Sequence, residues 1–414
     1  MLAMEFRAYD EDRDKPAAQR IWYECGWLRD DDTAALDTFL QCCRSHVALI
    51  DGEPECLVQT AMGTVRHLKE TLPWSCVVSV TTSRIARKQS FALKLTARAI
   101  AADVADGALV SGLGMFEQGF YDQLGFGSGG YVRVFGINPA KLTVKGASRI
   151  PKRLTKDDYE AMAANRVRCA TYHGAVTADS PLITRAAIEE GRKRDFGLGF
   201  ADGPNGELSH HLWMYTRGKV ESGPYTVGWM AWETREQFLE LMGLIKNLSD
   251  QVHLVWVRET HNLQLQDLMD RPLQHRTVTR NSDFDCRMRV CAFWQMRICD
   301  LAKCLEKTHL PSADLRFNLK LSDPIEDHLA NDAPWRGVAG EYVVTLSKAS
   351  GCEAGSDASL PRLTASVGAF TRLWLGVRPA SSLNITDDLK GPPELLEQLD
   401  ETLRLPEPET GCDF

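Results

Sequence analysis

The sequence predicts a mixed α+β protein with two mixed-sheet domains and a third, smaller α+β domain. Three observations support this prediction. The chain has 414 residues, which suits two or three domains. Apolar residues make up 44% and charged residues 25%, an ordinary globular balance. Short strand patterns alternate with helical patterns along most of the chain, and this alternation is typical of layered α and β structure.

The first predicted domain spans residues 1–147. Apolar residues at helical spacing, Ala18, Ile21, Trp22 and Cys25, predict an N-terminal helix. The tetrapeptide at residues 51–54, Asp-Gly-Glu-Pro, predicts a hairpin between two strands. A strand over residues 74–82, a helix over residues 91–104 and a short strand over residues 108–113 follow.

The second predicted domain spans residues 148–288 and repeats the order strand, helix, strand, which suggests a duplication. Its signals are a strand over residues 226–232, a helix carrying Phe238, Leu241 and Ile245, and a buried strand over residues 252–257. The third domain spans residues 289–414. Phe293, Met296 and Leu301 predict a helix at its start, and a leucine-rich helix beginning at Pro393 is predicted near its end.

Composition excludes several classes of function. The formal charge of −8 argues against a nucleic-acid partner and favours cationic substrates. The charged N-terminal sequence lacks a signal-peptide core, and no apolar run is long enough to span a bilayer, so we expect a soluble, cytoplasmic protein. The 12 cysteines form no CxxC pair, so we expect buried thiols, no metal site and no disulfide framework.

The strongest local signal is Arg87-Lys-Gln-Ser90-Phe-Ala92, which lies between a predicted strand and an amphipathic helix. Amides at a helix N-terminus are unpaired, and small residues let phosphate oxygens approach them. The pattern therefore predicts a pyrophosphate-binding loop. A plain strand-to-helix turn with a solvated basic face is the alternative.

The loop resembles the acetyl-coenzyme A loop of the GNAT acyltransferase superfamily, with Ser90 at a position where glycine is usual. Residues 117–127, in which Tyr121 precedes Gly125-Phe-Gly127, resemble a second segment of that superfamily. The spacing between Arg87 and Tyr121 and the C-terminal sequence resemble the enhanced intracellular survival acetyltransferases. That resemblance implies two GNAT-like domains and a sterol carrier protein-like domain.

The resemblance also implies roles for individual residues. Acetyl-coenzyme A would be the co-substrate, Tyr121 the general acid and the terminal carboxylate of Phe414 the general base, with Asp413 as the rival carboxylate. Most chain termini fray, which is the alternative for Phe414. Ser90 puts the tightness of the phosphate loop in question. The residues implied to contact the coenzyme are Val80, Thr81, Thr82, Arg87, Lys88, Ser90, Phe91 and Ala92.

Four further residues are candidates for the acceptor pocket: Glu117, Phe116, Trp27 and Asp31. Their alternatives are helix capping for Glu117, core packing for the aromatic residues and a solvated loop for Asp31. The expected acceptor is a primary amine on an aminoglycoside-, polyamine- or lysine-like molecule. A homo-oligomer, as a hexamer, is implied by the resemblance alone. The rival functions are a GNAT-like scaffold that binds a ligand without efficient catalysis, and an acyltransferase that uses longer acyl groups.

Overall fold

A computed structural model describes residues 4–28, 32–260 and 263–411. The strands are β1 Met4–Ala8, β2 Arg44–Ile50, β3 Glu53–His67, β4 Glu70–Thr82, β5 Val110–Gly114, β6 Gly127–Ser128, β7 Val132–Ile137, β8 Lys152–Leu154, β9 Val176–Ala178, β10 Phe196–Phe200, β11 His210–Lys219, β12 Gly223–Ala231, β13 Val255–Glu259, β14 Met288–Cys291, β15 Trp294–Ile298, β16 Asp314–Ser322, β17 Gly340–Ser347, β18 Gly351–Ala354, β19 Arg362–Ser366 and β20 Leu389–Lys390.

The helices are α1 Glu11–Cys25, α2 Ala34–Cys42, α3 Phe91–Ala105, α4 Tyr159–Cys169, α5 Leu182–Glu189, α6 Arg235–Lys246, α7 Pro272–Thr279, α8 Leu301–Glu306, α9 Val367–Trp374, α10 Ala380–Thr386 and α11 Pro393–Thr402. None of the helices within the described residues combines the length and the apolar character that crossing a bilayer requires. The mixed α+β class predicted from the sequence is confirmed, with strands in mixed sheets and helices along the described chain.

The chain forms two compact units. Unit 1 comprises residues 1–130, 172–180 and 293–414, and unit 2 comprises residues 131–171 and 181–292. The three predicted ranges, 1–147, 148–288 and 289–414, remain a proposal about domain organisation. The strands β7 and β14, which lie near the two proposed boundaries, both belong to the sheet of unit 2.

Unit 1 holds two sheets. The larger sheet has the order β1-β2-β3-β4-β5-β15-β6, and β9 pairs with β3. The smaller sheet has the order β18-β17-β16-β19-β20. Helix α3 packs its apolar face on the larger sheet through Leu95, Ala99 and Ile100, which are all buried.

Unit 2 holds one sheet with the order β14-β7-β13-β12-β11-β10-β8. Its strands β11 and β12 are antiparallel, whereas β12 and β13 are parallel and are connected through helix α6. Leu241, Met242 and Ile245 of α6 are buried in the core of this unit. The strand, helix, strand order that the sequence predicted for residues 226–257 is therefore present.

One predicted element is wrong. The helix expected from Phe293, Met296 and Leu301 is replaced by strand β15, and helix α8 begins only after Asp300. Every residue of β15 is buried, because the strand lies between β5 and β6 within the sheet. A strand that is covered on both faces has no alternation of apolar and polar residues, so its pattern does not distinguish it from a helix.

Candidate active site

The site begins where two parallel strands separate. Strands β4 and β5 pair from Trp74 and Val110 as far as Val77 and Leu113. A register shift between β3 and β4 lies next to this point, since Thr60 pairs with Val77 whereas Gln59 pairs with Ser79. A bulge of this kind bends a strand and increases its twist. In the described pairing, the edge of β4 beyond Val77 is therefore open on the side facing β5.

The predicted coenzyme residues Val80, Thr81 and Thr82 lie on this open part of β4. Their partners on the other side are Val58, Leu57 and Cys56 of β3. Backbone groups on an open strand edge can pair with an extended ligand, as an added strand does. The amides of an elongated molecule such as pantetheine would suit this edge.

Residues 83–90 connect β4 to α3 and lie mostly on the surface. Arg84, Arg87, Lys88 and Ser90 are all exposed. Lys88 and Ser90 both have φ of 62°, in the left-handed region that disfavours residues with a Cβ atom. Within the described residues, the ion pairs of the structure include neither Arg87 nor Lys88. Arg87 and Lys88 thus present positive charge without an ion pair to any of the described carboxylates.

The N-terminus of α3 is left open by its own sequence. Ser90 occupies the N-cap position but forms no side-chain cap hydrogen bond, and the first turn contains no acidic residue. The ring of Phe91 is buried in the core, so only its backbone can contribute to the loop. Ala92 follows it with a side chain that does not reach over the amides. The positive end of the helix dipole is consequently available to an anion.

Glu24 is a loop contact that the sequence did not indicate. Its Oε2 atom accepts a hydrogen bond of 2.7 Å from the amide of Arg84, which ties α1 to the start of the loop. At the other end of the loop, the side-chain amide of Gln89 donates to the carbonyl of Ile85 at 2.9 Å. These two contacts hold the loop from outside without occupying the helix N-terminus.

Tyr121 lies beneath the same region. It begins a short 3₁₀ turn that ends at Gly125, which has φ of 76°. The Tyr121 ring packs edge-on against Phe120 and Phe126, and it shares a core cluster with Val77, Ala86 and Phe91. The structure thus brings the predicted acid together with the end of β4 and the start of α3.

Burial is the main influence on Tyr121. Only 4% of its surface is exposed, and this burial, with a smaller contribution from Cys56, raises the pKa of the phenol to about 12. The hydroxyl therefore stays protonated over the whole physiological range. The Tyr121 ring can therefore pack in the core while its hydroxyl remains a hydrogen-bond donor.

A buried ion pair positions the turn that carries Tyr121. Arg297 of β15 donates to the carbonyl of Leu124 and to both oxygens of Asp323, the latter at 2.6 and 3.2 Å. Both ionic side chains are fully buried. A Cβ atom on Gly125 would lie 2.5 Å from Val367, so glycine is also required by this packing. No local sequence pattern indicates a role for Arg297 or Asp323, because their partners are distant along the chain.

The predicted acceptor residues fall in different places. Phe116 and Glu117 are exposed and follow the end of β5, and the ring of Phe116 is 81% accessible. Trp27 is half exposed and packs edge-on against Trp22, with 5.2 Å between ring centroids. Asp31 and Phe414 lie outside the described residues, as does Asp413.

Several solved protein structures are similar to this structure over the full length of the chain. A probable N-acyltransferase from Enterococcus faecalis has 18% identity and a TM-score of 0.79, with 100% of both chains covered. A GCN5-related N-acetyltransferase from Anabaena variabilis has 13% identity and a TM-score of 0.80, also with 100% of both chains covered.

Eis1 from Mycobacterium abscessus has 14% identity and a TM-score of 0.75, again with 100% of both chains covered. No protein-family model matches the sequence, and no curated protein does either. The chain has a GNAT-like fold.

In this GNAT-like fold, the described part of the C-terminal segment runs beside the larger sheet of unit 1. The carbonyl of Thr410 accepts a hydrogen bond from the amide of Val176 in β9, at 3.2 Å. The amide of Glu409 donates to the carbonyl of His173 at 3.0 Å. Strand β9 pairs with β3, the neighbour of β4.

Unit 2 contains a cluster of potential metal ligands that the sequence did not indicate. Ligand atoms of Asp202, His210 and Glu240 lie within 4.8 Å of one another. Arg149 donates to both carboxylates, with four hydrogen bonds between 2.6 and 3.0 Å. These bonds lower the pKa of both carboxyl groups. The guanidinium thus supplies the positive charge that a cation would bring to this cluster.

Proposed function

We propose that the protein is an acetyl-coenzyme A dependent N-acetyltransferase of the enhanced intracellular survival type. The acceptor is a primary amine on a small cationic molecule, of aminoglycoside, polyamine or lysine type. One observation supports this most directly: an open strand edge on β4 leads into an uncapped helix N-terminus with unpaired positive charge. A nucleotide-tailed thioester requires both features, one for its amides and one for its phosphates.

The coenzyme would contact two sets of groups. The pantetheine amides pair with the backbone of Val80, Thr81 and Thr82. The pyrophosphate lies on the loop of residues 87–92, where the amides of Phe91 and Ala92 point along the helix dipole and Arg87 and Lys88 supply charge. Ser90 contributes backbone rather than a side-chain contact, because its left-handed conformation is the one that the turn requires.

The reaction is a direct transfer. The nitrogen of the neutral amine attacks the thioester carbonyl, the C–N bond forms as the C–S bond breaks, and coenzyme A leaves as a thiolate. The amine loses one proton to a base, and the coenzyme A thiolate takes up one proton from solvent after it leaves. A phenol with a pKa of about 12 is a weaker acid than a thiol at about 8.5, so Tyr121 acts chiefly as a permanent hydrogen-bond donor that stabilises the sulfur as its charge develops.

The other assignments complete the proposal. The Phe414 carboxylate accepts the amine proton and attracts the cationic acceptor, while Glu117, Phe116, Trp27 and Asp31 contribute to the acceptor pocket. The C-terminal region of unit 1 acts as a sterol carrier protein-like module. The protein works in the cytoplasm as a homo-oligomer, with the hexamer as the expected state.

Calorimetric titration of acetyl-coenzyme A tests the cofactor site with a matched pair of variants. Arg87→Glu, next to the open helix N-terminus of α3, should weaken binding at least about tenfold, since it reverses a charge beside the phosphates. Arg235→Glu makes the same change at the start of α6 and should leave binding unaltered. Equal effects of the two substitutions, or no binding by the wild type at millimolar concentration, would refute the site.

Thiol release with a panel of amines and acyl-coenzyme A chain lengths then distinguishes the functions. Release with acetyl-coenzyme A and a polyamine or aminoglycoside supports the acetyltransferase. Binding without release with every amine would support the scaffold, and release only with longer acyl groups would support the other acyltransferase. Appending residues after Phe414 should abolish release, whereas the same extension at the N-terminus should not.

A further inference from the structure

Unit 1 contains a cavity that is separate from the open edge of β4. It lies between β1, β2, the middle of α3 and the segment at residues 330–334, and its volume is about 240 Å³. Apolar groups form most of its wall, including Phe6, Leu95, Ala101 and Pro334. Its polar lining consists of Arg7, His46, Arg98 and Asp332.

The two arginines of this cavity differ in their partners. Arg7 is neutralised by Asp14, to which it donates hydrogen bonds of 2.5 and 2.8 Å. Arg98 lies over the ring of Phe6, with its Cζ atom 4.3 Å from the ring centroid. The ion pairs found among the described residues do not include Arg98. Arg98 is thus the cation of the cavity that lacks a counter-charge, and stacking holds its planar group in place.

His46 supplies a second group in need of a partner. Its Nε2 atom is buried and has no hydrogen-bond partner among the described residues, while other atoms of the same residue line the cavity. Burial lowers the pKa of this histidine, so the ring is neutral near pH 7. Buried polar atoms are nearly always paired in folded proteins, and an orphan of this kind requires an explanation. A rotation of the imidazole would turn Nε2 toward the cavity, where an oxygen of a ligand held by Arg98 provides the missing partner.

Size and charge restrict the ligand. The volume of about 240 Å³ is below the roughly 300–1,000 Å³ that is typical of a site for a drug-sized molecule. Asp332 is exposed and places one negative charge in the lining, which disfavours a dianion such as phosphate. The apolar wall favours a ligand with a compact hydrocarbon part over a bare inorganic ion.

We propose that this cavity binds a small organic monocarboxylate, whose oxygens contact Arg98 and, once the imidazole has rotated, the Nε2 atom of His46, while its apolar part packs against Phe6, Leu95 and Ala101. The inference does not depend on the acetyltransferase proposal, because none of these residues belongs to the coenzyme loop. A carboxylate matches the fork of donors on a guanidinium, and the N–H of a neutral histidine can donate to the same carboxylate.

Benzoate is a suitable probe, and benzamide is its neutral counterpart of the same shape. We expect the full-length protein to bind benzoate in calorimetry or ligand-observed NMR, and to bind benzamide at least about tenfold more weakly. Arg98→Gln should weaken benzoate binding by a similar factor. Arg13→Gln, a matched change at an exposed position of α1, should have no effect.

Three results would overturn the proposal. They are no benzoate binding at millimolar concentration, equal binding by the wild type and Arg98→Gln, and inorganic phosphate binding as tightly as benzoate. If Arg98→Gln does not fold, because the side chain also packs on Phe6, Ala102→Leu provides a second test. This variant keeps the cation and fills the cavity, so it should abolish benzoate binding.

Discussion

Each unit contains a connection in which an antiparallel strand leads into a helix. The two connections have the same layout, but the helix N-terminus is uncapped in unit 1 and capped in unit 2. In unit 1, β4 leads through residues 83–90 to α3, whose N-cap Ser90 forms no side-chain cap. In unit 2, β12 leads through residues 232–234 to α6, whose N-terminus is closed by Thr234 and Gln237 in a capping box. Both helices are followed by a strand that pairs in parallel.

The difference shows what decides whether such a connection can bind an anion. The Thr234 hydroxyl accepts from the amide of Gln237, and the Gln237 side chain accepts from the amides of Glu233 and Thr234. The acidic side chains of Glu233 and Glu236 add negative charge at the same place. Unit 2 therefore satisfies its helix N-terminus internally, whereas unit 1 leaves that position open. The two units share the strand-to-helix arrangement, and a few residues between strand and helix determine whether the helix N-terminus can bind an anion.

The largest expected effect is a loss of turnover when a tyrosine of unit 1 is replaced, compared with the same replacement in unit 2. Tyr121→Phe should lower turnover about 100-fold through loss of the donor to the thiolate, with little change in acetyl-coenzyme A binding. Tyr225→Phe in unit 2, which removes a hydroxyl that donates to Val220, is the matched control and should leave turnover unchanged. Steady-state thiol release and calorimetry give the two readouts, and equal turnover for both variants would contradict the role of Tyr121.

The second prediction concerns buried histidines, one in each unit. Burial lowers the pKa of both His67 and His211 to about 3, from an unfolded value near 6.5. The folded state resists protonation, so the free energy of unfolding should be constant above about pH 6.5 and fall below it, by up to roughly 1.4 kcal/mol per pH unit for each histidine. Urea unfolding at pH 7 and pH 5 measures this loss.

Substituting the two histidines sharpens the comparison. His67 stacks on Trp374 and bonds its carbonyl through Nε2, while Nδ1 has no partner among the described residues. His67→Phe keeps the stack, loses this one hydrogen bond and should reduce the acid-induced loss of stability by about 2 kcal/mol between pH 7 and pH 5. His211 bonds both Asn165 and Trp229, so His211→Phe leaves two buried partners unsatisfied and should destabilise the protein even at pH 7. An unchanged pH dependence in His67→Phe would disprove this assignment.

The third prediction removes the cap of unit 2. Thr234→Ala should lower the free energy of unfolding by about 1 kcal/mol, because the amide of Gln237 loses its acceptor. Ser90→Ala at the equivalent position of α3 should change stability much less, since no cap hydrogen bond is lost there. Chemical denaturation of the two variants tests the difference, and equal losses would mean that Ser90 caps α3 in solution.

The smallest effect is expected for Ser90→Gly. Glycine adopts the left-handed conformation without a Cβ penalty, and this gain offsets its greater freedom in the unfolded chain, so stability should rise by about 0.5–1 kcal/mol. Acetyl-coenzyme A binding should tighten slightly, as the phosphate loop loses a side chain. A loss of stability in this variant would show that the serine hydroxyl has a role beyond backbone geometry.

Sequence patterns predicted the local parts of this structure well. The hairpin turn has φ of 51° at Asp51 and 86° at Gly52, as the residue types indicated, and α3 begins at Phe91 as predicted. The strand-to-helix turn before α3 was predicted from six residues, because a helix N-terminus and its preceding turn are encoded locally. Phosphate binding by this loop stays a prediction.

The remaining features depend on contacts that no local pattern records. Strand β15 was predicted to be a helix because its burial on both faces removes the strand periodicity. Arg297 and Glu24 meet their partners only in the folded chain. The burial of Arg297 could not be predicted either, because charged residues are rarely fully buried. Such contacts follow from topology, and topology is what a single sequence specifies least directly.

The position of β15 has a consequence for biosynthesis. Residues 131–292 leave the ribosome before β15 does, so the sheet of unit 2 can close while β5 still lacks its neighbour. Until the strand arrives, the nascent chain exposes a bare sheet edge and a Tyr121 turn without its arginine support. Fragments that stop before β15 should therefore aggregate, and the nascent protein should be most dependent on chaperones during this interval.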